Sequence, residues 1–367
     1  MKIGIDAHYL GGQSGGNETY TRNLLQGLRE LDPPCEIVVF THPDRPMAGA
    51  ETGFETIPIP VRSSYLRVPF ALPWLAKRHK LDLLHAQYTA PPWCPCPYVV
   101  TLHDAVMLRF PESLPFMDRY RLRLLTPSTL NNAARVFTVS EAMRREIAAA
   151  YGLPPIGIEV TPNALGASFR QEPDDEARQR ARGRLALPER YILSLGQLQP
   201  RKNLVRLAEA FARLDPDRYP HKLVVTGKKA WLYDGMLREM ERLNLGDRLH
   251  FTDYVADEDL PALYAMADAF AFVSLYEGFG IPVIEALAMG TPVLASTDPA
   301  LIEVCGGGGL HVDPLDIESI HKGLERVLSD KALREGLVER GRAHALEYTP
   351  RRCAEAAWRG YQRALGV

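Results

Sequence analysis

Two glutamates, Glu277 and Glu285, stand eight positions apart in the segment Ser274-Leu-Tyr-Glu-Gly-Phe-Gly-Ile-Pro-Val-Ile-Glu-Ala-Leu287. An apolar run, Ala269-Phe-Ala-Phe-Val273, precedes them and reads as a buried strand. Pro282 to Met289 reads as a helix, with Pro near its first turn and Gly290 just past its end. The order is strand, glycine turn, helix. A helix start leaves backbone N–H groups at the positive end of the dipole, where an anion can sit. Gly278 and Gly280, flanking Phe279, let a ligand approach the backbone because they carry no Cβ. Carboxylates beside an anion repel it unless they face hydroxyl groups of the same ligand. Phosphate in the middle and hydroxyls at both ends describe a nucleotide-sugar.

Cations follow another apolar run. Gln197-Leu-Gln-Pro-Arg-Lys-Asn203 comes after Tyr191–Gly196, which sets Arg201 and Lys202 at the C-terminal end of a strand. Ligands of open α/β sheets bind at such ends. Two cations there can neutralise a diphosphate, and Asn203 is expected to cap the next helix. A glycine loop, Gly11-Gly-Gln-Ser-Gly-Gly-Asn17, follows the first strand and opens a helix. Gly15, Gly16 and Asn17 suit the approach of a phosphate or substrate, with a plain surface loop as the competing reading. The spacing Gly-x-Gly-x-x-Gly is absent, so this is not a dinucleotide site. His103, in Val100-Thr-Leu-His-Asp104, ends a strand; a lone histidine is more often structural than catalytic. Two Asp-x-Asp triplets, Asp215-Pro-Asp217 and Asp257-Glu-Asp259, have a form that can hold a divalent ion. The first reads as a turn and Asp257 as a helix N-cap, so neither a catalytic metal nor a cofactor is expected.

The elements that must position these residues alternate. Strands are expected at Lys2–Ala7, Glu36–Thr41, Asp82–Gln87, Tyr98–Asp104, Arg135–Ser140 and Glu159–Asn163. Helices are expected at Thr19–Leu31, Phe70–His79, Pro115–Ala133 and Glu141–Tyr151. The second half repeats the scheme, with strands at Tyr191–Gly196, Lys222–Gly227, Leu249–Tyr254, Ala269–Ser274, Val293–Thr297 and Leu310–Asp313. Alternation of this kind implies parallel sheets covered on both faces, twice over. The charged stretch Gln171–Arg182 reads as a linker running into a surface helix. Domains are therefore expected at 1–170 and 171–349, with a last helix at 350–367.

At 367 residues the chain accommodates two cores. Its net charge of −2 gives no argument for nucleic acid as a partner. No stretch approaches the roughly 20 apolar residues of a membrane-spanning helix, and Met1-Lys-Ile-Gly-Ile-Asp6 does not read as a signal peptide. Five cysteines, an odd and scattered set, favour a reducing cytoplasm; Cys94-Pro-Cys96 reads as a loop with two free thiols. Arg62 to Lys80 mixes aromatic residues with basic ends. It fits a loop and helix packed on the domain, and also peripheral contact with an anionic membrane surface.

The segment from Glu277 to Glu285 resembles the Glu-x7-Glu motif of retaining glycosyltransferases of family 4, which have the GT-B fold. Gly290-Thr-Pro-Val-Leu-Ala295 and Pro200-Arg-Lys-Asn203 also fit that family, and the resemblance runs from the first loop to the last helix. It implies two Rossmann-like domains facing each other across a cleft, the second holding a nucleoside-diphosphate sugar and the first a glycan or lipid-linked acceptor. By the same resemblance Glu277 contacts the donor sugar and Glu285 the ribose. His103 lies near the sugar, with Asp104 as its orienting partner or a helix-entry residue. Gly15, Gly16 and Asn17 line the cleft, and the last helix crosses back onto the first domain. One departure is Gln197, where many members have Arg. No protein nucleophile is evident, which implies front-face transfer of a hexose with retention. Pro-Arg-Lys-Asn together with Gly227-Lys-Lys-Ala-Trp-Leu-Tyr233 is most similar to bacterial mannosyltransferases of surface-polysaccharide assembly, which implies GDP-mannose as donor. Two alternatives are a sugar-nucleotide 2-epimerase and a non-catalytic nucleotide- or carbohydrate-binding protein. The Glu-Gly-Phe-Gly-Ile-Pro turn argues against the first, and Glu277, Lys202 and His103 together argue against the second.

Overall fold

The structure is a computed structural model that describes residues 1–12, 15–46, 53–228 and 233–367. Two parallel sheets organise it. The first holds β1 (Lys2–Asp6), β2 (Glu36–Thr41), β3 (Glu55–Pro58), β4 (Leu83–Gln87), β5 (Tyr98–Thr101), β6 (Arg135–Thr138) and β7 (Ile158–Val160). Their order is β3-β2-β1-β4-β5-β6-β7. The second holds β8 (Tyr191–Leu195), β9 (Lys222–Thr226), β10 (Leu249–Asp253), β11 (Ala269–Phe272), β12 (Val293–Ser296) and β13 (Gly309–Val312). Their order is β10-β9-β8-β11-β12-β13. Each sheet grows outward from its first strand in one direction and then in the other. Such a reversal opens a crevice at the carboxyl ends of the two central strands. The crevice falls between β1 and β4 in one sheet and between β8 and β11 in the other.

The central strands are buried along their whole length and are mostly apolar, as a covered parallel sheet requires, with His85 and Gln87 the buried polar exceptions in β4. Register follows from this: Ile3 lies between Ile37 and Leu83, and Ile192 between Leu223 and Ala269. The core of one unit gathers Val38, Phe40, Leu72, Leu75 and Leu84, and that of the other Phe211, Leu223, Val225, Ala271 and Leu324. One unit comprises Met1–Ala164 with Tyr348–Val367; the other is Leu165–Glu347. Within the first unit, the last helix, Pro350–Leu365, packs along the helix Gly16–Leu31. The Tyr361 hydroxyl meets Nδ1 of the buried His85 at 2.7 Å.

Several boundaries differ from those expected. β3 was not anticipated; its four residues include Glu55 and Pro58 and carry no alternating apolar pattern. The helix expected to start at Phe70 starts at Ser64 and passes through a wide π-type turn, Arg67–Ala71. Pro69 lies in that turn, and a residue without an N–H is better tolerated where the ladder widens. The helix expected from Thr19 begins at Gly16. β5 and β6 stop at Thr101 and Thr138, leaving His103 and Ser140 in the loops beyond the sheet edge.

Candidate active site

In the second unit the crevice is shaped first by glycine. Gly196 and Gly227 directly follow β8 and β9, at φ 152° and 145°. A Cβ on Gly227 would lie 1.8 Å from the Gly196 carbonyl oxygen, so the two loops meet where only glycine fits. A small pocket opens there, lined by Ser194, Gly196, Lys202, Thr226, Phe272 and Ser274. Beyond β8 comes a tight helical turn, Pro200–Lys202, tied to the loop after β11 by the Leu275 N–H donating to the Arg201 carbonyl at 2.8 Å. Asn203 corrects the expectation of a cap. It is left-handed at φ 60°, makes no side-chain cap, and donates Nδ2 to the carbonyls of Val273 at 3.0 Å and Pro314 at 2.7 Å. It fastens the cation turn to the end of β11.

Arg201, Lys202 and Glu277 form one cluster. Lys202 Nζ lies 2.5 Å from Glu277 Oε1, and Arg201 Nη1 donates to Glu277 Oε2 and to the Tyr276 carbonyl, both at 3.0 Å. With its amide oxygen turned toward Arg201, Gln199 accepts from Nε and Nη2 at 3.0 Å each. Lys202 also lies 4.6 Å above the Phe272 ring. Burial opposes ionisation of Glu277, but Lys202 and then Arg201 outweigh it and hold its pKa down to about 2. Gln197, where Arg was looked for, is exposed at the rim of the same pocket.

The turn Tyr276–Gly280 is buried throughout, Phe279 included. Gly280 has φ 105°, and a Cβ there would meet Leu301 Cδ2 at 2.7 Å. It precedes the helix Ile281–Ala288, whose N-terminus has no side-chain cap. Glu285 is on this helix. Its Oε2 accepts from the Tyr264 hydroxyl at 2.9 Å, and burial pushes its pKa up to about 8 against that bond. In this unit Tyr264 and Asp298 escaped the sequence reading. Tyr264 orients Glu285. Asp298 accepts from the N–H groups of Ala300 and Leu301 at 3.0 and 3.2 Å, and from that of Glu277 at 3.4 Å. The signal for Asp298 was its place before Pro299, a helix-start pattern.

In the first unit His103 is 7% exposed, and its Nε2 meets Gln87 Oε1 at 2.9 Å. Gln87 is oriented by its own Nε2, which donates to the Asp6 carbonyl at 3.1 Å and to Thr21 Oγ1 at 2.9 Å. Its oxygen therefore accepts, so His103 carries its proton on Nε2 and offers Nδ1 as an acceptor. Burial, with His85 adding to it, lowers the His103 pKa to about 3, so the ring is neutral. Gln87 holds the His103 ring, and of the two roles expected for Asp104 the structure shows helix entry: its Oδ1 accepts from the Val106 N–H at 3.3 Å where a short helix begins.

Gly15 precedes the first helix at φ 61°, with Gly16 and Asn17 in its first turn. Glu18 reaches back to accept from the Gly11 N–H at 2.8 Å. Gln13 and Ser14 of this loop lie outside the described residues, as do 229–232 of the Gly227–Tyr233 segment. A buried charge group at the end of β1 went unnoticed in the sequence. Asp6 Oδ1 meets His8 Nδ1 at 2.9 Å, and Asp6 Oδ2 lies 3.8 Å from Arg67 Nε. Burial opposes the Asp6 charge, but Arg67 and His8 hold its carboxyl well below the usual range. An acid closing an apolar strand was the available signal.

The Asp-x-Asp triplets divide. Asp215 accepts from the Asp217 N–H at 3.0 Å, a turn as expected. Asp257 is not the cap of the following helix: that position is Asp259, which makes no side-chain cap and is held at 2.8 Å by Arg184. The Cys94 and Cys96 sulfurs stand 3.8 Å apart as thiols.

Residues 14–168 match the model of Glycosyltransferase Family 4, and residues 175–344 that of Glycosyl transferases group 1. An O-antigen chain mannosyltransferase B of Escherichia coli is 32% identical over 268 residues, covering 72% of this chain and 70% of that protein. The chain belongs to glycosyltransferase family 4. Another similar sequence is a serotype-specific mannosyltransferase WbdA of Escherichia coli. It is 29% identical over 73% of this chain, and the match spans 33% of its own length. A sucrose-phosphate synthase from Thermosynechococcus elongatus superposes with a TM-score of 0.79 at 20% identity, covering 100% of this chain and 99% of that one. With its two Rossmann-like units, this family 4 chain has the GT-B fold.

Proposed function

We propose that this glycosyltransferase moves mannose from GDP-mannose to a hydroxyl of a glycan or lipid-linked acceptor, with retention of configuration and without a metal. The observation that carries the reading is the cluster of Arg201, Lys202 and Glu277 at the β8–β11 crevice. An arriving diphosphate shares the two cations with Glu277, whose remaining lone pairs then accept from sugar hydroxyls. Glu285, neutral when the site is empty, offers both a donor and an acceptor to ribose hydroxyls. As the glycosidic bond to phosphate breaks, negative charge grows on the diphosphate. Arg201, Lys202 and the N–H groups at the start of the helix Ile281–Ala288 stabilise it, and the leaving phosphate takes the acceptor proton. His103 offers Nδ1 to a hydroxyl, and Gly15, Gly16 and Asn17 provide a backbone surface for substrate. The mannose assignment draws on the Escherichia coli mannosyltransferase relatives. Metal independence draws on the engagement of Asp259 by Arg184 and of Asp215 by the Asp217 N–H.

A thermal-shift series with GDP-mannose, GDP-glucose, UDP-glucose and ADP-glucose in excess chelator tests this. A ligand at a hundredfold excess over its Kd stabilises by about 2.7 kcal/mol. GDP-mannose is expected to give the largest shift. A preference for UDP- or ADP-sugars would overturn the donor assignment, and a shift seen only with manganese would overturn metal independence.

A further inference from the structure

The connection from β4 to β5, residues 88–97, carries a pair of thiols that the transfer reaction does not use. Its second half reads Pro91-Pro-Trp-Cys-Pro-Cys-Pro97, with four prolines in seven residues. Each proline fixes its own φ and keeps the residue before it out of the helical region. Cys94 and Cys96 both stand before a proline, so the backbone has little freedom at either thiol. Exposure alternates along the loop. Trp93, Pro95 and Pro97 face solvent, while Cys94 and Cys96 are half-buried against the core that includes Leu72 and Leu75. Residues two apart in a non-helical chain share a side, and this chain also bends at Pro95 and Cys96. The two sulfurs stand 3.8 Å apart. A disulfide needs about 2.0 Å. The remaining gap lies between side chains one residue apart, so no distant segment has to be brought in to close it.

The other three thiols are placed differently. Cys305 and Cys353 are buried, and burial pushes both up to about 12. Burial likewise pushes Cys35 up to about 11. The thiolate is the nucleophile, so these three are inert near neutral pH. At Cys94 the balance is reversed. Cys96 donates its S–H to the Cys94 sulfur, which outweighs burial and lowers the Cys94 pKa, and the same bond raises that of Cys96. Neither cysteine of the pair is fully covered, so both keep access to solvent. A structural zinc site takes four ligands. No further His, Cys, Asp or Glu among the described residues joins these two thiols as a third.

We propose that Cys94 and Cys96 form a dithiol site that a low-molecular-weight disulfide oxidises to an intrachain disulfide. The Cys94 thiolate attacks one sulfur of the oxidant, and the other leaves as a thiolate that takes up the proton Cys94 released. Cys96 then loses its proton and attacks Cys94 Sγ, which expels the second half of the oxidant as a thiol. The two cysteine sulfurs lose two electrons, and the two sulfurs of the oxidant gain them. The proposal stands apart from the transfer reaction, and its test does not use turnover. The reduced full chain is incubated with glutathione disulfide at neutral pH and quenched with acid. Remaining thiols are then alkylated under denaturing conditions. Peptide mass spectrometry is expected to show both thiols lost from the peptide that holds Cys94 and Cys96, lighter by two hydrogens and carrying no glutathione. Cys35, Cys305 and Cys353 should be alkylated in full, and dithiothreitol should restore the pair. Cys96→Ser should keep a glutathione adduct on Cys94, and Cys94→Ser should react about tenfold or more slowly than the wild type. Melting temperatures check both variants; should either fail to fold, the wild-type peptide map decides alone. An unreacted pair, oxidation of Cys35 before the pair, a lasting adduct on the wild type, or a disulfide between two chains would each overturn the proposal.

Discussion

A buried carboxylate is costly unless cations replace the water it has lost, and Glu277 has two. This pairing makes Lys202 both a ligand group and a counter-ion. Lys202→Ala is expected to remain folded, because Arg201 still meets Glu277, and to lose turnover. A charge-assisted contact to phosphate contributes about 1.5–3 kcal/mol, or roughly tenfold to over a hundredfold in rate. Turnover of the donor, with circular dichroism as the folding control, checks this; wild-type turnover would shift the role to Arg201. Glu285 poses the opposite problem, since no cation among the described residues offsets its burial. Its pKa rises from the usual 4.5 to about 8, so the folded chain holds a proton that the unfolded chain releases between those values. The contribution of Glu285 to stability is therefore full below pH 4.5 and is lost as pH rises toward 8, by at most about 1.4 kcal/mol per pH unit. Melting temperatures across this window should decline less in Glu285→Gln than in the wild type. Parallel curves would mean that Glu285 ionises normally.

Elements explain why those side chains arrive together. The carboxyl ends of β8 and β11 adjoin because the sheet order reverses there, and Asn203 ties the loops that leave them. The approach of Gly227 to Gly196 is equally strict. Gly227→Ala forces a Cβ to 1.8 Å from a backbone oxygen at φ 145°, and should cost several kcal/mol, about 3 or more. Gly183→Ala, in a helix with nothing within 4 Å, should instead stabilise by about 0.5–1 kcal/mol. Urea unfolding of both separates the cases, and equal effects would contradict the close approach. Both Glu residues, the cation turn and the alternation of strands and helices were legible in the sequence, because glycine, proline and apolar runs act locally. What it did not reveal depends on residues distant in the chain. Asn203 looked like a cap but is a donor to Val273 and Pro314. Gln87 sets the His103 tautomer from 16 positions away, and Asp6 and Arg67 are far apart until β1 and the π-type turn meet. Short, polar β3 has no pattern of its own and exists by pairing with β2.

The whole molecule is two units of the same plan with different chemistry at their crevices. One offers neutral His103 and the Asp6–Arg67 pair; the other offers cations beside Glu277 and Glu285, whose pKa burial raises. That difference supports assigning the donor to Leu165–Glu347 and the acceptor to the unit that also carries the last helix. Calorimetric titration of GDP in excess chelator tests the donor assignment most directly, using the wild type, Glu277→Gln and Glu285→Gln. Glu277→Gln should keep wild-type GDP affinity within about threefold, under 1 kcal/mol, while losing turnover of GDP-mannose. Glu285→Gln should lose about tenfold in GDP affinity, because its contact is with the ribose. Equal loss in both variants, or no GDP binding to the wild type without a divalent ion, would contradict the account.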